Sequence, residues 1–576
     1  MGKKASPWIL PGTLALVLAA PLAAAQAPPA PVFGTAVEVQ VVNLDVYITD
    51  REGRPVKDLS GKDFQVFEDG RPVELSNFSR IENGSPLPAD DPADTVPGAA
   101  EPAEKGLHLV VFIDQTRIGV TGRRNATSQL ARVLQETLRP EDQVMLVGFD
   151  GASRVLLPFT ANRKALWAAL AAADTISPRQ LLARSDRDEV FQQLQYDAQE
   201  GPCLFTEELY TPYAEKALSE VMQMIRSLEV FVDSLAGVPG RKAILHLSDG
   251  IPLRPGAEAI EYGIELCGGQ GIQQGQAHAM DTLEMDERSR AHRFNPQKAR
   301  MDIHRFDTTS RWEDLSARAN AYGVSMYMLQ ASGAAAETGT SASTQVRYQT
   351  VLTEWSERAN LQDPLSFLAD DTGGRAFLNG NQFEPGLRAM VEDLRSYYLL
   401  GYIPPSGNDG LRRIQVKVSR PGLEVRHRTK YRLRTPQEQI AGRLRSRLVH
   451  GVGENPLGAR IEITGQTPAG KDQVKTRISV KVPLKSLALI PGETLREGLL
   501  TVFVAAQDAA GGTTPVRQAS VPVRVAVDPA AAGQREFTYE IEMVMRKGPG
   551  TLGVAVRDEV GGETSYLSQA FRLNGT

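Results

Sequence analysis

Two apolar runs in this chain each end on an aspartate: 107–114 (LHLVVFID), closing on Asp114, and 241–250 (RKAILHLSDG), carrying Asp249. Apolar runs of this length, bounded by turn residues, fit strands covered on both faces. Helical periodicity follows each, which predicts an open, doubly wound α/β sheet. The pattern between and beyond them predicts a helix over 123–138, strands over 143–149 and 153–157, and helices over 162–173 and 212–236. Further along it predicts a helix over 313–322, a strand over 324–330, a helical segment over 355–371, a strand over 375–378 and a helix over 383–396. Two long additions, 174–211 and 251–312, interrupt this order, and loops of that length are functional or mobile as a rule. Ligands bind such sheets at the carboxyl ends of the strands, so Asp114 and Asp249 are expected to share one crevice.

The flanking sequence alternates with period two instead. Val37, Val39 and Val41 are in one phase and Leu44, Val46 and Ile48 in the other, and a slip of one residue predicts a bulge or a crossing between sheets. Short strands around 64–67 and 73–78 are too few to close a core. Matching antiparallel strands over 397–402, 412–419 and 423–427 supply the rest. One β-sandwich is therefore expected from 37–82 together with 397–433, with the α/β unit at 106–396 inserted between them through a Pro/Ala/Asp/Glu-rich linker at 83–105. Thr435-Pro436-Gln437-Glu438 is a capping box with proline at the first helical position, starting a helical spacer over 434–456. From 457 to 576 regular short strands with Gly/Pro/Asp turns predict a second sandwich of the immunoglobulin-like (Ig-like) kind.

At the two aspartates the chain resembles a von Willebrand factor type A (VWFA) domain. That family holds a divalent cation, usually Mg²⁺, with an Asp-x-Ser-x-Ser loop after the first strand, a Thr from a second loop and an Asp after the fourth strand. Here the first loop reads Asp114-Gln115-Thr116-Arg117-Ile118. The resemblance implies Asp114, Thr116 and Asp249 as metal ligands, with Thr211 as a further candidate for the second-loop position. Ile118 departs from the pattern, because a hard cation wants oxygen, and the site implied is a degenerate one. Segments 39–78, 369–377 (ADDTGGRAF) and 394–430, with the strings SYYLLGY and RPGLEVR, are similar to the acidobacterial-type family in which an A domain is joined to an Ig-like segment. This resemblance covers roughly 37–433 and implies a Rossmann-like VWFA domain inserted in an Ig-like sandwich. It implies architecture more than activity.

With 576 residues and 41% hydrophobic content the chain is long enough for several cores. Its net charge of −5 leaves no basic footprint for nucleic acid. Residues 1–25 read as a secretory signal: Lys3 and Lys4, an apolar centre over 14–20, and Ala23-Ala24-Ala25 before the expected cleavage. An uncleaved anchor is the alternative, against which Pro11, Gly12 and Pro21 interrupt the apolar stretch. No transmembrane span is expected after cleavage, and the protein is expected to be secreted, periplasmic or envelope-associated. The two cysteines, Cys203 and Cys267, fall one in each addition. In an exported protein an even count is compatible with one disulfide, two unpaired thiols being the alternative.

Other chemistry is sparse. Residues 465–471 (GQTPAGK) nearly spell a phosphate loop, but Asp472 stands where Ser or Thr is required and no βα unit surrounds it, so a hairpin is expected. His278, His292 and His304 lie with Asp302 and Asp307 in the second addition at spacings that match no zinc motif. His246 is expected in the core. Neither H-E-x-x-H nor G-x-S-x-G occurs. Asn77, Asn83 and Asn125 begin glycosylation sequons, which matter only in a eukaryotic secretory route. These readings favour a non-catalytic adhesion or scaffolding protein that binds a protein ligand or envelope component through the degenerate metal-ion-dependent face, with Mg²⁺ or another divalent cation as its cofactor if any. The alternatives are a metal-dependent hydrolase using the His/Asp-rich addition, and a purely structural envelope component.

Overall fold

The computed structural model describes residues 41–87, 106–175, 180–200, 203, 205–238, 240–268, 294–332, 351–405, 410–451, 453–492, 494–509, 512–526 and 536–573. The expected signal segment, most of the linker, His278 and His292 lie outside the described residues. In chain order the first strands are β1 (Val42–Thr49), β2 (Phe64–Glu68), β3 (Arg71–Val73), β4 (Leu75–Glu82) and β5 (Ser85–Pro86). There follow β6 (His108–Asp114), α1 (Val120–Thr137), β7 (Gln143–Phe149), β8 (Ser153–Thr160), α2 (Arg163–Ala173), α3 (Gln180–Glu200), α4 (Thr206–Ser234) and β9 (Lys242–Ser248). Next come α5 (Ala257–Gly268), α6 (Pro296–Arg305), α7 (Thr309–Ala321), β10 (Val324–Gln330), α8 (Val351–Asp371), β11 (Ala376–Phe377) and α9 (Glu384–Arg395). The chain then forms β12 (Tyr397–Tyr402), β13 (Leu411–Val418), β14 (Glu424–Arg426), β15 (Lys430–Arg432) and α10 (Pro436–His450). It ends with β16 (Arg460–Pro468), β17 (Gln473–Pro483), β18 (Ile490–Pro491), β19 (Leu495–Asp508), β20 (Arg517–Ala526), β21 (Glu536–Arg546), β22 (Gly548–Asp558) and β23 (Thr564–Leu573).

The central sheet runs β8-β7-β6-β9-β10-β11, parallel except for the antiparallel edge strand β8. Numbered within the sheet this is the doubly wound order 3-2-1-4-5-6, which reverses between β6 and β9. Period two explains the unbroken apolar run of β6. Leu109, Val111 and Ile113 face a core with α1, α2 and α9, whereas Val110 and Phe112 face a second core with α4, α7 and α8.

The two β-rich segments on either side of this unit pair with each other. One sheet has the order β14-β1-β12-β4-β5 and the other β15-β13-β2-β3, and both contribute side chains to one core. Val42, Leu44, Val46 and Ile48 point into it while Val41 is exposed, so the alternation keeps one phase through β1. The expected slip needs no bulge there: β1 pairs through Val46 with β12 and from Tyr47 with β14, with no shift of register in either pairing. Within this core Glu68 is buried and ties both sheets. It accepts the hydroxyls of Tyr402 at 2.7 Å and Tyr431 at 2.6 Å, and Arg412 Nη1 at 2.5 Å.

The additions are helical where they are described. The first carries α3, and α4 begins at Thr206, earlier than the periodicity indicates, with Glu207 and Glu208 complementing the helix N-terminus. The second carries α5 and α6. Phe191, Leu194, Tyr210, Ile260, Tyr262 and Phe306 pack into a small core of their own, forming a cap, and the disulfide Cys203–Cys267 closes it. Helix α10 is more than a spacer. One side meets the turn after α4, where Gly237 lets the backbones touch: a Cβ there would stand 2.7 Å from Ser446 Cβ. On the other side Leu444 and Leu448 pack against Phe503, Ala555 and Tyr566 of the last domain. That domain comprises the sheets β16-β17-β21 and β18-β19-β22-β23, with β20 on β19, around one core. The GQTPAGK segment ends β16 and turns into the antiparallel β17, which is a hairpin.

Glu68→Ala removes the buried carboxylate to which a buried guanidinium and two buried phenols donate, and is expected to cost about 3–5 kcal/mol, read as a lowered denaturant midpoint. Replacing both cysteines by serine removes a cross-link across 64 residues. The loop-closure relation puts the loss at about 4 kcal/mol, expected as earlier proteolysis within 180–305 than elsewhere.

Candidate functional site

Strands β6 and β9 are parallel neighbours with Ile113 beside Leu247, so their carboxyl ends bring Asp114 and the Ser248-Asp249-Gly250 turn together where the sheet order reverses. Asp114 is fully buried. The loop folds back on it: Thr116 donates its N–H at 3.0 Å and its hydroxyl at 2.6 Å to Oδ1, and the Ser248 hydroxyl donates to Oδ2 at 3.1 Å. Asp249 is half-buried. Its Oδ2 accepts the N–H of Gly119 at 3.0 Å, at the entry to α1, where the helix terminus favours a negative charge. The Asp249 N–H in turn donates to the Arg117 carbonyl at 2.9 Å, lacing the two loops together.

Gly250 is required by geometry. Its φ is +134°, and a Cβ would meet Leu361 Cβ of α8 at 2.8 Å. Helix α8, which makes this close approach, has Pro364 inside it. Proline supplies no N–H to the carbonyl four residues earlier, and that carbonyl, of Asn360, accepts the Leu253 N–H at 2.9 Å. A neighbouring bond from the Ile251 N–H to the Leu361 carbonyl at 3.0 Å holds the same loop.

Burial pushes the Asp114 carboxyl up to about 6, against the Thr116 hydrogen bonds and the positive charge of Arg117, which pull it down. The carboxylate forms no ion pair with any described residue. Asp114, Asp249 and the hydroxyls of Thr116 and Ser248 are hard oxygen donors that fit a Mg²⁺-like cation in kind. Ile118 does not: its side chain is fully buried in the core with α1 and offers no ligand. Thr211 lies inside α4, past its first turn, instead of in a loop ahead of a helix, because that helix starts at Thr206. No hydrogen bond joins Thr211 to Asp114 or Asp249.

Ser248, the Gly119 N–H and Gln330, whose amide reaches the Asp249 carbonyl at 3.3 Å, belong to the crevice and escape the sequence reading. The adjacency of Ser248 to Asp249 is the one signal for them. His246 is buried, stacks on Phe112 at 5.3 Å between centroids and hydrogen-bonds no described residue. Burial draws it down to about 3. In the second addition Asp302 accepts the Tyr210 hydroxyl at 3.0 Å, Asp307 accepts Arg254 Nε at 3.0 Å, and His304 is exposed. Among the described residues no three His, Cys, Asp or Glu converge to hold a metal.

A carboxyl raised from 3.8 to about 6 gives stability that is complete below its unfolded value and lost as pH rises through 6. Buried histidines act in the opposite sense: those drawn below 6.5 lose stability as pH falls. The difference between wild type and Asp114→Asn isolates the carboxyl. In chelator, the substitution is expected to gain on the order of 3 kcal/mol on the wild type between pH 4 and pH 7.5, read from urea midpoints.

No family model and no curated protein matches the chain. Among solved structures it is similar to an aerotolerance-related membrane protein from Bacteroides fragilis at 11% identity, TM-score 0.23, covering 50% of this chain and 98% of that one. It is similar to a von Willebrand factor type A protein from Catenulispora acidiphila at 9% identity, TM-score 0.22, covering 88% and 75%. A third is the three N-terminal domains of the type V pili tip protein Mfa5 from Porphyromonas gingivalis, at 9% identity, TM-score 0.24, covering 93% and 77%. The doubly wound order of the α/β unit and the two carboxylates at its switch point are read from the chain itself and do not rest on these likenesses.

Proposed function

We propose that this chain is an exported, non-catalytic protein-binding module, in which a VWFA domain carried by an Ig-like sandwich presents the crevice of Asp114 and Asp249 to a protein ligand or envelope component. The observation that carries this reading is the laced pair of loops at the switch point: Asp114 lies enclosed beneath a half-exposed rim of Thr116, Arg117, Gly119 and Asp249. A buried anion of this kind calls for a positive partner. A divalent cation held by Asp114, Asp249 and Thr116, with Ser248 behind them, would supply an open position for a carboxylate of the ligand. With Ile118 contributing nothing, water fills most of the shell and binding is weak. The disulfide of the cap suits an oxidising compartment.

The hydrolase reading has less behind it, since Asp302 and Asp307 are engaged with Tyr210 and Arg254. Calorimetry with Mg²⁺ and Mn²⁺ tests the crevice. A saturable heat reversed by chelator is expected for the wild type and none for Asp114→Ala. Equal heats from the two proteins would place the metal elsewhere.

A further inference from the structure

The sheet β15-β13-β2-β3 turns one face to the sandwich core, and along β13 the other is open to solvent. Along β13, Arg412, Ile414 and Val416 are buried while Leu411, Arg413, Gln415 and Lys417 are exposed. Gln415 lies opposite Phe67 of β2, and Lys417 opposite Gln65. A cleft of about 440 Å³ opens on this face, lined by Phe67, Gly70, Arg413, Gln415, Thr429 and Lys430 among others.

The charges here are unbalanced. Glu68, directly behind the face, is consumed by Arg412, Tyr402 and Tyr431. Asp371 takes Thr429 and stands 3.7 Å from Lys430, and Arg432 pairs with Glu438 at 3.6 Å. Exposed Asp69 spends Oδ1 on the Arg413 backbone N–H at 2.9 Å. Neither the Arg413 guanidinium nor the Lys417 ammonium pairs with a carboxylate among the described residues. Lys417 stands over the Phe67 ring at 4.8 Å, a cation–π contact that orders it without neutralising it.

We propose that this outer face is a docking site for an acidic, extended polypeptide segment of a partner protein. Arg413 and Lys417 are four residues apart on one face, about 13 Å along the strand, which is the spacing of two carboxylates four residues apart in an extended peptide. Between them Gln415 offers an amide to the peptide's polar groups and Phe67 an apolar surface. Two cations separated by an amide and a ring suit a chain of mixed polarity. A densely charged polymer meets too few cations here, and beyond about 8 Å of screening length it meets a chain of net charge −5. The proposal is independent of the crevice and of any metal.

Fluorescence anisotropy on the full chain tests it. The probe is a fluorescein-labelled peptide with Glu at every fourth position separated by Ser, Phe and Thr, and the control is its Gln counterpart. Saturable binding is expected at low salt, weakened roughly tenfold or more by Arg413→Glu with Lys417→Glu and to a similar degree in the Gln peptide, but unchanged by chelator or by Asp114→Ala. Arg413→Gln with Lys417→Gln, checked for an unchanged melting curve, separates lost charge from introduced repulsion or misfolding and is expected to weaken binding by a smaller factor. Absence of saturable binding, or equal binding by both double variants and the wild type, would overturn the proposal. Tighter binding of heparin or of phosphatidylglycerol vesicles, lost in the same variants, would overturn it in favour of a polyanion.

Discussion

The arrangement of the first two domains depends on one guanidinium. Arg241 precedes β9 at the amino end of the central sheet, its side chain almost wholly enclosed. It lies 3.8 Å from the centroid of the Tyr397 ring and 5.1 Å from that of Tyr47, with Asp45 at 3.5 Å. Those partners belong to β1 and β12, the central pair of the neighbouring sandwich sheet. The strand that carries Ser248 to the crevice is therefore anchored at its opposite end in the other domain. Around this contact Asp393 holds Arg375 at 2.7 Å and Arg426 at 2.8 Å, and Arg426 also lies 5.0 Å from the centroid of the Tyr47 ring. Desolvated cations over aromatic faces and shared carboxylates make this junction directional, since each bond fails if the domains rotate.

The same junction explains where the sequence is legible and where it is not. Strands β6 and β9 are plain because both their faces are buried and period two needs no partner to be recognised. The burial of Tyr47 and Thr49, on the face of β1 turned away from its own core, has no local signal, since Tyr47 is covered by Arg241 and Arg426 from remote parts of the chain. The additions hide their helices for a related reason. Their apolar residues pack on one another in a small core and not on the sheet, so the stripe on each helix is short and mixed with charge. In the crevice the aspartates and Thr116 are legible and the remaining donors are not, because backbone N–H groups such as that of Gly119 carry no sequence signature.

Ile118 belongs to the scaffold of this loop and not to the crevice. An apolar side chain at that position turns inward and adds to the core beneath α1. The loop keeps its shape through Thr116 and the Arg117 carbonyl, and Ile118 offers the crevice no oxygen. The fold thus gains apolar contact from one residue of the loop while burying the Asp114 carboxyl at another.

Helix α4 runs for 29 residues, about 43 Å. Its first turns belong to the disulfide-closed cap, and near its last turn Asp233 pairs with Arg318 of α7 at 2.8 Å and stands 3.8 Å from Arg445 of α10. One helix, with Pro212 inside it, thus joins the crevice side of the central domain to the helix on which the last sandwich is seated. A shift of the cap would travel along this helix as a lever movement at Asp233, where α7 and α10 meet it.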